Sequence, residues 1–208
     1  MTADAGKSVA DYRAIAAQYD QATRRINGVR RDAVGALNLE PDETVMDVGC
    51  GSGFSFGPIL EAIGPSGRLL AFDHSPELLS IAESRIENAG WKNVVLREST
   101  AEAIQFDSPA SALLFSYVHD VLQSEAAIDN LLRQASPRAR VALCGTKLLP
   151  WWGLPVNVYL YVTHRHYITN RNENFHAPWT KLARRLDSLD VQVRWPPGWR
   201  YVATGNVR

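Results

Sequence analysis

The sequence predicts an α/β fold built on a mostly parallel β-sheet, and three observations support this prediction. Short segments of consecutive apolar residues alternate with segments in which apolar residues recur every three or four positions. Such an alternation is typical of buried parallel strands connected by helices. Glycine and proline residues stand between the segments, where turns are expected. The chain of 208 residues is 46% hydrophobic, so it can bury the core of one domain.

The N-terminal part of the chain predicts one long helix over residues 8–38. Val9, Tyr12 and Tyr19 belong to an apolar stripe whose members lie three or four positions apart. A turn that contains Pro41 follows the stripe and ends the pattern. This helix either closes over a bound ligand as a lid or only packs beside the sheet.

Seven segments predict the strands of the sheet. The first strand runs into a glycine-rich loop, and the second ends at an aspartate. A connection of only a few residues joins the last two strands, so we expect that pair to form an antiparallel hairpin. The predicted strands cover residues 44–48, 68–72, 94–96, 112–115, 140–144, 190–195 and 200–204.

Three helices are predicted between the strands. Residues 55–63 and residues 124–135 show helical spacing of their apolar positions. Ser75 and Pro76 open the helix that follows the second strand. Serine is a favoured N-cap, and proline is favoured at the first helical position.

Charge and cysteine content argue against several classes of protein. The 22 basic and 22 acidic residues give a formal net charge of zero, whereas proteins that bind nucleic acid usually carry a basic excess. Cys50 and Cys144 cannot form a disulfide framework, and no Cys/His cluster has the usual spacing of a metal site. We therefore expect no nucleic-acid partner and no metal, although His164, His166 and His176 have spacings that metal ligands can adopt.

The sequence predicts neither a signal peptide nor a transmembrane segment. The first residues include acids and no apolar stretch. No run approaches the roughly 18–20 apolar residues that a membrane-spanning helix needs. We expect a protein of the reducing cytoplasm.

A glycine-rich loop follows the first predicted strand and marks the candidate ligand site. Gly49, Gly51 and Gly53 allow the backbone to approach a ligand closely. Asp47 precedes the loop and either orients it or receives a cationic amine. Asp73 ends the second strand, where a carboxylate can accept hydrogen bonds from both hydroxyls of a ribose. A tight turn without a ligand, with Asp73 as a helix cap, is the simpler alternative.

The loop differs from the fingerprint of dinucleotide-binding proteins. Phe54 stands where that fingerprint has its third glycine, and the loop contains no lysine or arginine for a phosphate. The loop therefore favours a nucleoside-type ligand over a phosphate chain.

Residues 44–145 resemble the class I S-adenosylmethionine-dependent methyltransferases. The segment VMDVGCGSG at positions 45–53 matches the glycine-rich motif of that family. Asp73 matches its ribose-binding acid, and the Tyr19-Asp20 pair matches a feature of the branches that act on small molecules and lipids. The resemblance implies a Rossmann-like seven-stranded sheet, S-adenosylmethionine as the methyl donor and S-adenosylhomocysteine as the product.

The resemblance also implies which residues bind the cofactor. Thr100 departs from the family pattern, because many relatives have an acid at this position near the adenine amino group. We expect the Thr100 hydroxyl and the backbone N–H of Ala101 to contact the adenine in place of that acid. The implied cofactor-binding residues are Tyr19, Asp47, Gly49, Gly51, Ser52, Gly53, Asp73, His74, Thr100, Ala101, Ser116 and Tyr117.

His119 follows the fourth strand, where the family places residues near the reacting methyl group, and it is the candidate general base. A histidine can take a proton from a substrate near neutral pH. It can equally be a structural residue, or it can shape the methionine pocket. Asp120 either orients His119 or caps the next helix, and we expect the cap. Tyr19 is the second candidate catalytic residue.

An aromatic insertion over residues 147–179 contains seven of the nineteen aromatic residues. It follows the fifth strand and therefore lies near the carboxyl ends of the strands, where open α/β sheets bind ligands. We expect it to cover the acceptor, although core packing and a dimer contact are alternatives. The candidate substrate-binding residues are Tyr12, His119, Trp151, Trp152 and Tyr159.

We expect a single methyltransferase domain over residues 1–208. It comprises a helical lid at 1–40, a cofactor-binding core at 41–146, an aromatic substrate cap at 147–180, and a C-terminal helix and strand hairpin at 181–208. Either a monomer or a homodimer is compatible with this organisation.

The expected activity is in-line methyl transfer to a small apolar or aromatic metabolite. The first alternative is N-methylation of a phospholipid headgroup, with peripheral contact between a membrane and the cap. The basic pairs Arg24-Arg25 and Arg30-Arg31 would join that contact, or they form a solvated helix face. The second alternative is a non-catalytic module that only binds the cofactor.

Overall fold

A seven-stranded sheet forms the centre of the computed structural model, which describes residues 27–158, 174–194 and 198–208. The first five strands are parallel, and the last strand runs antiparallel to both of its neighbours. The predicted α/β class and the C-terminal antiparallel hairpin are therefore confirmed. The strands are β1 (Thr44–Val48), β2 (Arg68–Asp73), β3 (Val94–Glu98), β4 (Ala110–Ser116), β5 (Ala135–Thr146), β6 (Leu186–Arg194) and β7 (Arg200–Val207), in the spatial order β3-β2-β1-β4-β5-β7-β6.

Six helices with defined bounds surround the sheet in the described part of the chain. The Ser75 hydroxyl accepts a hydrogen bond from the Leu78 N–H, and Pro76 is the first helical residue, as predicted. Of the long helix predicted over 8–38, the described part ends at Ala36. The helices are α1 (Asn27–Ala36), α2 (Phe56–Ile63), α3 (Pro76–Ala89), α4 (His119–Gln123), α5 (Glu125–Arg133) and α6 (Thr180–Ala183).

The helices cover both faces of the sheet. Successive residues of a strand point to opposite faces, so neighbouring apolar residues enter different cores. Val45 and Leu114 pack on the side of α1, α2 and α3, whereas Met46 and Leu113 pack on the side of α4, α5 and α6. This arrangement explains the continuous apolar segments of the sequence, because both faces of each central strand are buried.

Only β1 has both of its predicted ends, and the largest differences are in β5, β6 and β7. β5 begins at Ala135 instead of residue 140, and α5 correspondingly ends at Arg133. The early part of β5 pairs with Ala110 across a register shift, and its exposed polar residues hid it in the sequence pattern. β6 likewise begins at Leu186 ahead of a register shift, and β7 continues to Val207.

The carboxyl ends of the central strands meet at one edge of the sheet. Val48, near the end of β1, lies opposite Phe72 of β2 on one side and Phe115 of β4 on the other. The loops that follow these three strands therefore lie side by side. No helix in the described part of the chain has the length and apolar character needed to cross a membrane.

Candidate functional site

The glycine-rich loop after β1 forms the floor of the candidate site. Gly49 has a φ of +59°, and a Cβ atom there would lie 2.5 Å from Cγ1 of Val118. Gly51 has a φ of +54°, but a Cβ atom there would come no closer than 3.8 Å to another residue. A side chain is thus excluded at Gly49 by packing, whereas Gly51 presents bare backbone to open space.

Asp73 connects the end of β2 to this loop. Its Oδ2 accepts a hydrogen bond of 2.8 Å from the Gly51 N–H, and its Oδ1 accepts one of 3.0 Å from the Ser75 N–H. An ionised carboxylate has about four acceptor positions, so two remain for ligand hydroxyls. The His74 side chain is mostly exposed, with Nδ1 3.6 Å from Asp73 Oδ1.

Asp47 is a buried carboxylate within the same site. Its side chain is only 1% exposed, and neither of its oxygens accepts a hydrogen bond from a described residue. Burial raises its pKa from the usual 3.8 to about 7, while the positive charge of Arg30 opposes the increase and Asp73 adds to it. The Ser55 hydroxyl also lowers this pKa, without completing a hydrogen bond. A cationic ligand group would satisfy this carboxylate.

Arg30 enters the site from α1, whereas the sequence predicted only a solvated or membrane-facing basic pair with Arg31. Its Nε donates a hydrogen bond of 3.2 Å to the Ser116 hydroxyl. Arg31, by contrast, is exposed. The spacing of the helix could have indicated this position. Ala33 and Val34 follow Arg30 by three and four positions and are buried, so Arg30 is expected on the same face of the helix.

Phe54 contacts two guanidinium groups. The guanidinium carbon of Arg30 is 5.2 Å from the centre of the Phe54 ring, and that of Arg85 is 4.6 Å from it. Arg85 also donates a hydrogen bond of 3.1 Å to the carbonyl of Ser52, whose side chain is buried. The residue that replaces the third glycine of the dinucleotide fingerprint therefore forms a cation–π cluster beside the loop.

Tyr117 follows β4 in a strained conformation. Its φ is +60°, a value that non-glycine residues rarely adopt. The ring centre lies 5.4 Å from the Arg30 guanidinium carbon, and the hydroxyl is buried without a partner among the described residues. Such strain is concentrated at functional sites. The neighbouring Ser116 is buried and accepts the Arg30 hydrogen bond.

His119 begins α4 directly after this segment. Its ring stacks on Phe175 with ring centres 4.2 Å apart and an angle of 6° between the planes. Burial lowers its pKa from the usual 6.5, and the charge of Asp120 opposes part of this shift. The imidazole is therefore mainly neutral at neutral pH and can accept a proton.

The expected helix-capping role of Asp120 is wrong. Asp120 lies in the first turn of α4, whose N-cap position is occupied by Val118. Ser124 caps the following helix instead, since its hydroxyl accepts a hydrogen bond from the Ala127 N–H. Asp120 acts on His119 through its charge.

The loop after β3 lies beside Asp73, where the adenine contact was expected. The Ser99 N–H donates a hydrogen bond of 3.0 Å to the Asp73 carbonyl. Thr100 is exposed and Ala101 is buried. The amide of Asn130 donates to the carbonyl of Ala101 and so anchors the loop. The contact of Thr100 and Ala101 with adenine stays a prediction.

The predicted cap residues have different positions. Trp151 is 88% exposed and Trp152 is 53% exposed, so both side chains face solvent. Tyr12, Tyr19 and Tyr159 lie outside the described residues, as do His164 and His166. The substrate-binding role of the two tryptophans and the roles of the three tyrosines stay predictions.

Comparison with known proteins gives a family match over most of the chain. The methyltransferase domain family matches residues 39–171. A demethylmenaquinone methyltransferase from Anoxybacillus flavithermus is 25% identical over 123 residues, which are 56% of this chain and 50% of that protein. A protein-L-isoaspartate O-methyltransferase from Aeropyrum pernix is 39% identical over 59 residues, which are 28% of this chain and 23% of that protein. The matched segments thus span half or less of the length of these curated relatives.

Solved structures share the fold. The N-methyltransferase NodS from Bradyrhizobium japonicum superimposes with a TM-score of 0.62 at 14% identity, over 88% of this chain and 97% of that chain. A SAM-dependent methyltransferase from Aquifex aeolicus gives a TM-score of 0.58 at 17% identity, over 86% and 89% of the two chains. At these identities the likeness establishes the architecture.

Replacement of Asp47 by Asn should stabilise the protein when no ligand is bound. The unfolded chain ionises Asp47 at a lower pH than the folded protein does, so this residue lowers stability increasingly between about pH 4 and pH 7. Above pH 7, Asp47→Asn should therefore raise the free energy of unfolding, on the order of 1–4 kcal/mol. Denaturant unfolding at several pH values measures this difference.

The matched control is Asp187→Asn, at an exposed position of β6. It should leave the pH dependence of stability unchanged. A loss of stability in Asp47→Asn at high pH would contradict the assignment of an unpartnered buried charge.

Proposed function

Because this chain belongs to the methyltransferase domain family, we propose that it transfers a methyl group from S-adenosylmethionine to a small apolar or aromatic acceptor. The observation that carries the proposal is the pair of opposite charges beside the glycine loop. Asp47 is buried without a hydrogen-bond partner among the described residues, and Arg30 lies near it. An amino acid carries an ammonium and a carboxylate on one carbon, so the methionine part of the cofactor matches this pair of charges.

The amino-acid and ribose parts of the cofactor have candidate partners among the described residues. Asp47 would hold the ammonium group and Arg30 the carboxylate, through charge-assisted hydrogen bonds. The free acceptor positions of Asp73 would hold the ribose hydroxyls. The bare backbone at Gly51 would allow close approach of the ligand.

The chain contributes mainly alignment to the reaction. The bound cofactor supplies a methyl group on a positively charged sulfur, which is already activated for in-line displacement. Tyr117 and His119 lie next to the glycine loop. Tyr117 would contact the cofactor near its sulfonium, and His119 would orient the acceptor. Positioning of this kind can contribute about 7–11 kcal/mol to the rate.

The stacked rings of His119 and Phe175 support a flat acceptor. The two nearly parallel rings lie close to the end of β4, where a planar acceptor would extend the stack. If the attacking atom of the acceptor carries a proton that must leave, the neutral imidazole of His119 would accept it. An amine that attacks through its lone pair would need no such base, and nearby aromatic rings would favour its cationic product.

Calorimetric titration should show that the protein binds both S-adenosylmethionine and S-adenosylhomocysteine. Asp73→Asn should weaken the binding of both ligands by roughly tenfold to a hundredfold, because charge-assisted hydrogen bonds to the ribose are lost. Glu77→Gln, on the exposed first turn of α3, is the control and should bind normally. Absence of binding in the unaltered protein would refute the proposed cofactor. Binding without methyl transfer to any acceptor of a broad panel would identify a non-catalytic module.

Arg30→Met should weaken S-adenosylhomocysteine binding by roughly tenfold to a hundredfold, because the carboxylate of the ligand loses its cationic partner. Arg31→Met removes the same charge from the adjacent, exposed position of α1 and should leave the affinity unchanged. Equal losses of affinity in the two variants would contradict a specific contact with Arg30, because they would show that binding depends only on the overall charge of the helix.

His119→Ala should lower kcat for an acceptor with a hydroxyl group and leave cofactor affinity unchanged. In the unaltered enzyme, kcat/KM should rise with pH at values below the usual histidine pKa of 6.5 and level off near neutral pH, because only the neutral imidazole accepts a proton. Stopped assays over a pH series measure both effects. Full turnover in His119→Ala would mean that no base is needed there and would favour an amine acceptor.

A further inference from the structure

Residues 151–158 expose an unusual amount of apolar surface. Five large hydrophobic side chains are exposed in the described parts of the chain, and four of them lie in this segment. They are Trp151 at 88%, Trp152 at 53%, Leu154 at 63% and Val158 at 55% exposure, and we call these four residues the cap surface. Contiguous exposed apolar surface is typical of an interaction site.

Three of the four residues of the cap surface form a stripe on one side of a short helical segment, and Trp152 is adjacent to it. Trp151 to Gly153 form a 3₁₀ turn, and residues 154–158 continue as helix. Trp151, Leu154 and Val158 are spaced by three and four positions, so they lie on one side. A helix that packs on a core turns such a stripe inward, whereas here it faces solvent.

Contacts on the inner side hold this orientation. The side-chain carbonyl of Asn157 accepts a hydrogen bond of 2.8 Å from the Leu149 N–H, and its amide donates one of 2.8 Å to the Leu149 carbonyl. Gly153 is buried, and a Cβ atom there would lie 2.3 Å from Cβ of Leu149. The segment therefore packs through its small and polar residues and presents its apolar residues outward.

A short chain of contacts joins the segment that carries the cap surface to the candidate site. The Leu148 N–H donates a hydrogen bond of 2.8 Å to the carbonyl of Phe175, and the Phe175 ring stacks on His119. The segment also follows the carboxyl end of β5, at the edge of the sheet where the glycine loop lies. Whatever binds the cap surface therefore binds near the proposed acceptor position.

The sequence around the cap surface carries only positive charge. Residues 147–172 contain no aspartate or glutamate, although acids equal bases over the whole chain. The same stretch contains Lys147, Arg165 and Arg171. Tryptophan, aliphatic residues and lysine or arginine without acids are the composition of segments that bind at the surface of anionic membranes. Like charges oppose a symmetric contact between two copies of this stretch.

We propose that the cap surface docks the protein onto an anionic phospholipid bilayer. The indole rings of Trp151 and Trp152 would lie at the level of the headgroups, and Leu154 and Val158 would enter the boundary of the acyl chains. This docking would place the candidate site next to the lipid phase, from which an apolar acceptor could enter. It goes beyond methyl transfer and does not require the cofactor.

Vesicle flotation of the full chain tests the proposal. The protein should float with vesicles of phosphatidylcholine and phosphatidylglycerol, less with phosphatidylcholine alone, and less at high salt. The double variant Trp151→Ser/Trp152→Ser should lower the partition coefficient by roughly tenfold or more. Val193→Ser, which removes an apolar side chain that is 45% exposed on β6, is the matched control and should float normally.

Two further measurements separate the possible outcomes. Thermal unfolding and S-adenosylhomocysteine affinity of the double variant should match those of the unaltered protein, so a change in flotation reports docking and not folding or cofactor binding. Leu154→Gln should also reduce flotation. Failure of the unaltered protein to float with anionic vesicles, or full flotation of the double variant, would overturn the proposal. A dimer that light scattering detects and the double variant dissociates, without lipid binding, would identify a second copy as the occupant and overturn it as well.

Discussion

The parallel pairing of β1 with both β2 and β4 is the constraint on which the candidate site depends. It places the last residues of three strands at one height, so that the glycine loop, Asp73 and Tyr117 become neighbours. A shift of β1 by one residue would turn every side chain of the strand to the opposite face. Asp47 would then lie in the layer of α4 and α5, away from Arg30 of α1.

The electrostatics of the site follow from that placement. Asp47 belongs to the interior of the sheet, where a carboxylate is costly unless it is paired. Arg30 reduces this cost through its charge, but its side chain donates hydrogen bonds to Ser116 and Asn27 instead of to Asp47. The free protein therefore keeps an incompletely compensated charge at the position where a cationic ligand group would bind. Destabilisation of this kind is expected at binding sites and not in the core of a fold selected for stability alone.

The sequence was sufficient to locate those parts of the site that lie within short segments of the chain. The glycine loop and Asp73 lie at strand ends, and strand ends can be predicted from apolar segments and turn residues. Arg30 could not be placed in this way, because its partner Ser116 is 86 positions away and only the packing of α1 on the sheet brings them together. The cluster around Phe54 also depends on two arginines from different helices. The early start of β5 was missed because exposed polar residues there break the apolar pattern.

The insertion of β7 between β5 and β6 has a consequence for the order of folding. β6 pairs with β7 and with no other described strand, although it precedes β7 in the chain. On the ribosome, β6 therefore emerges without a partner and waits until residues 200–207 have been synthesised. The parallel half of the sheet, with the glycine loop and Asp73, can assemble earlier from β1 to β4. Completion of the edge at β6 is thus a late event in the assembly of the sheet, and until then the unpaired strand is open to chaperones or to another nascent chain.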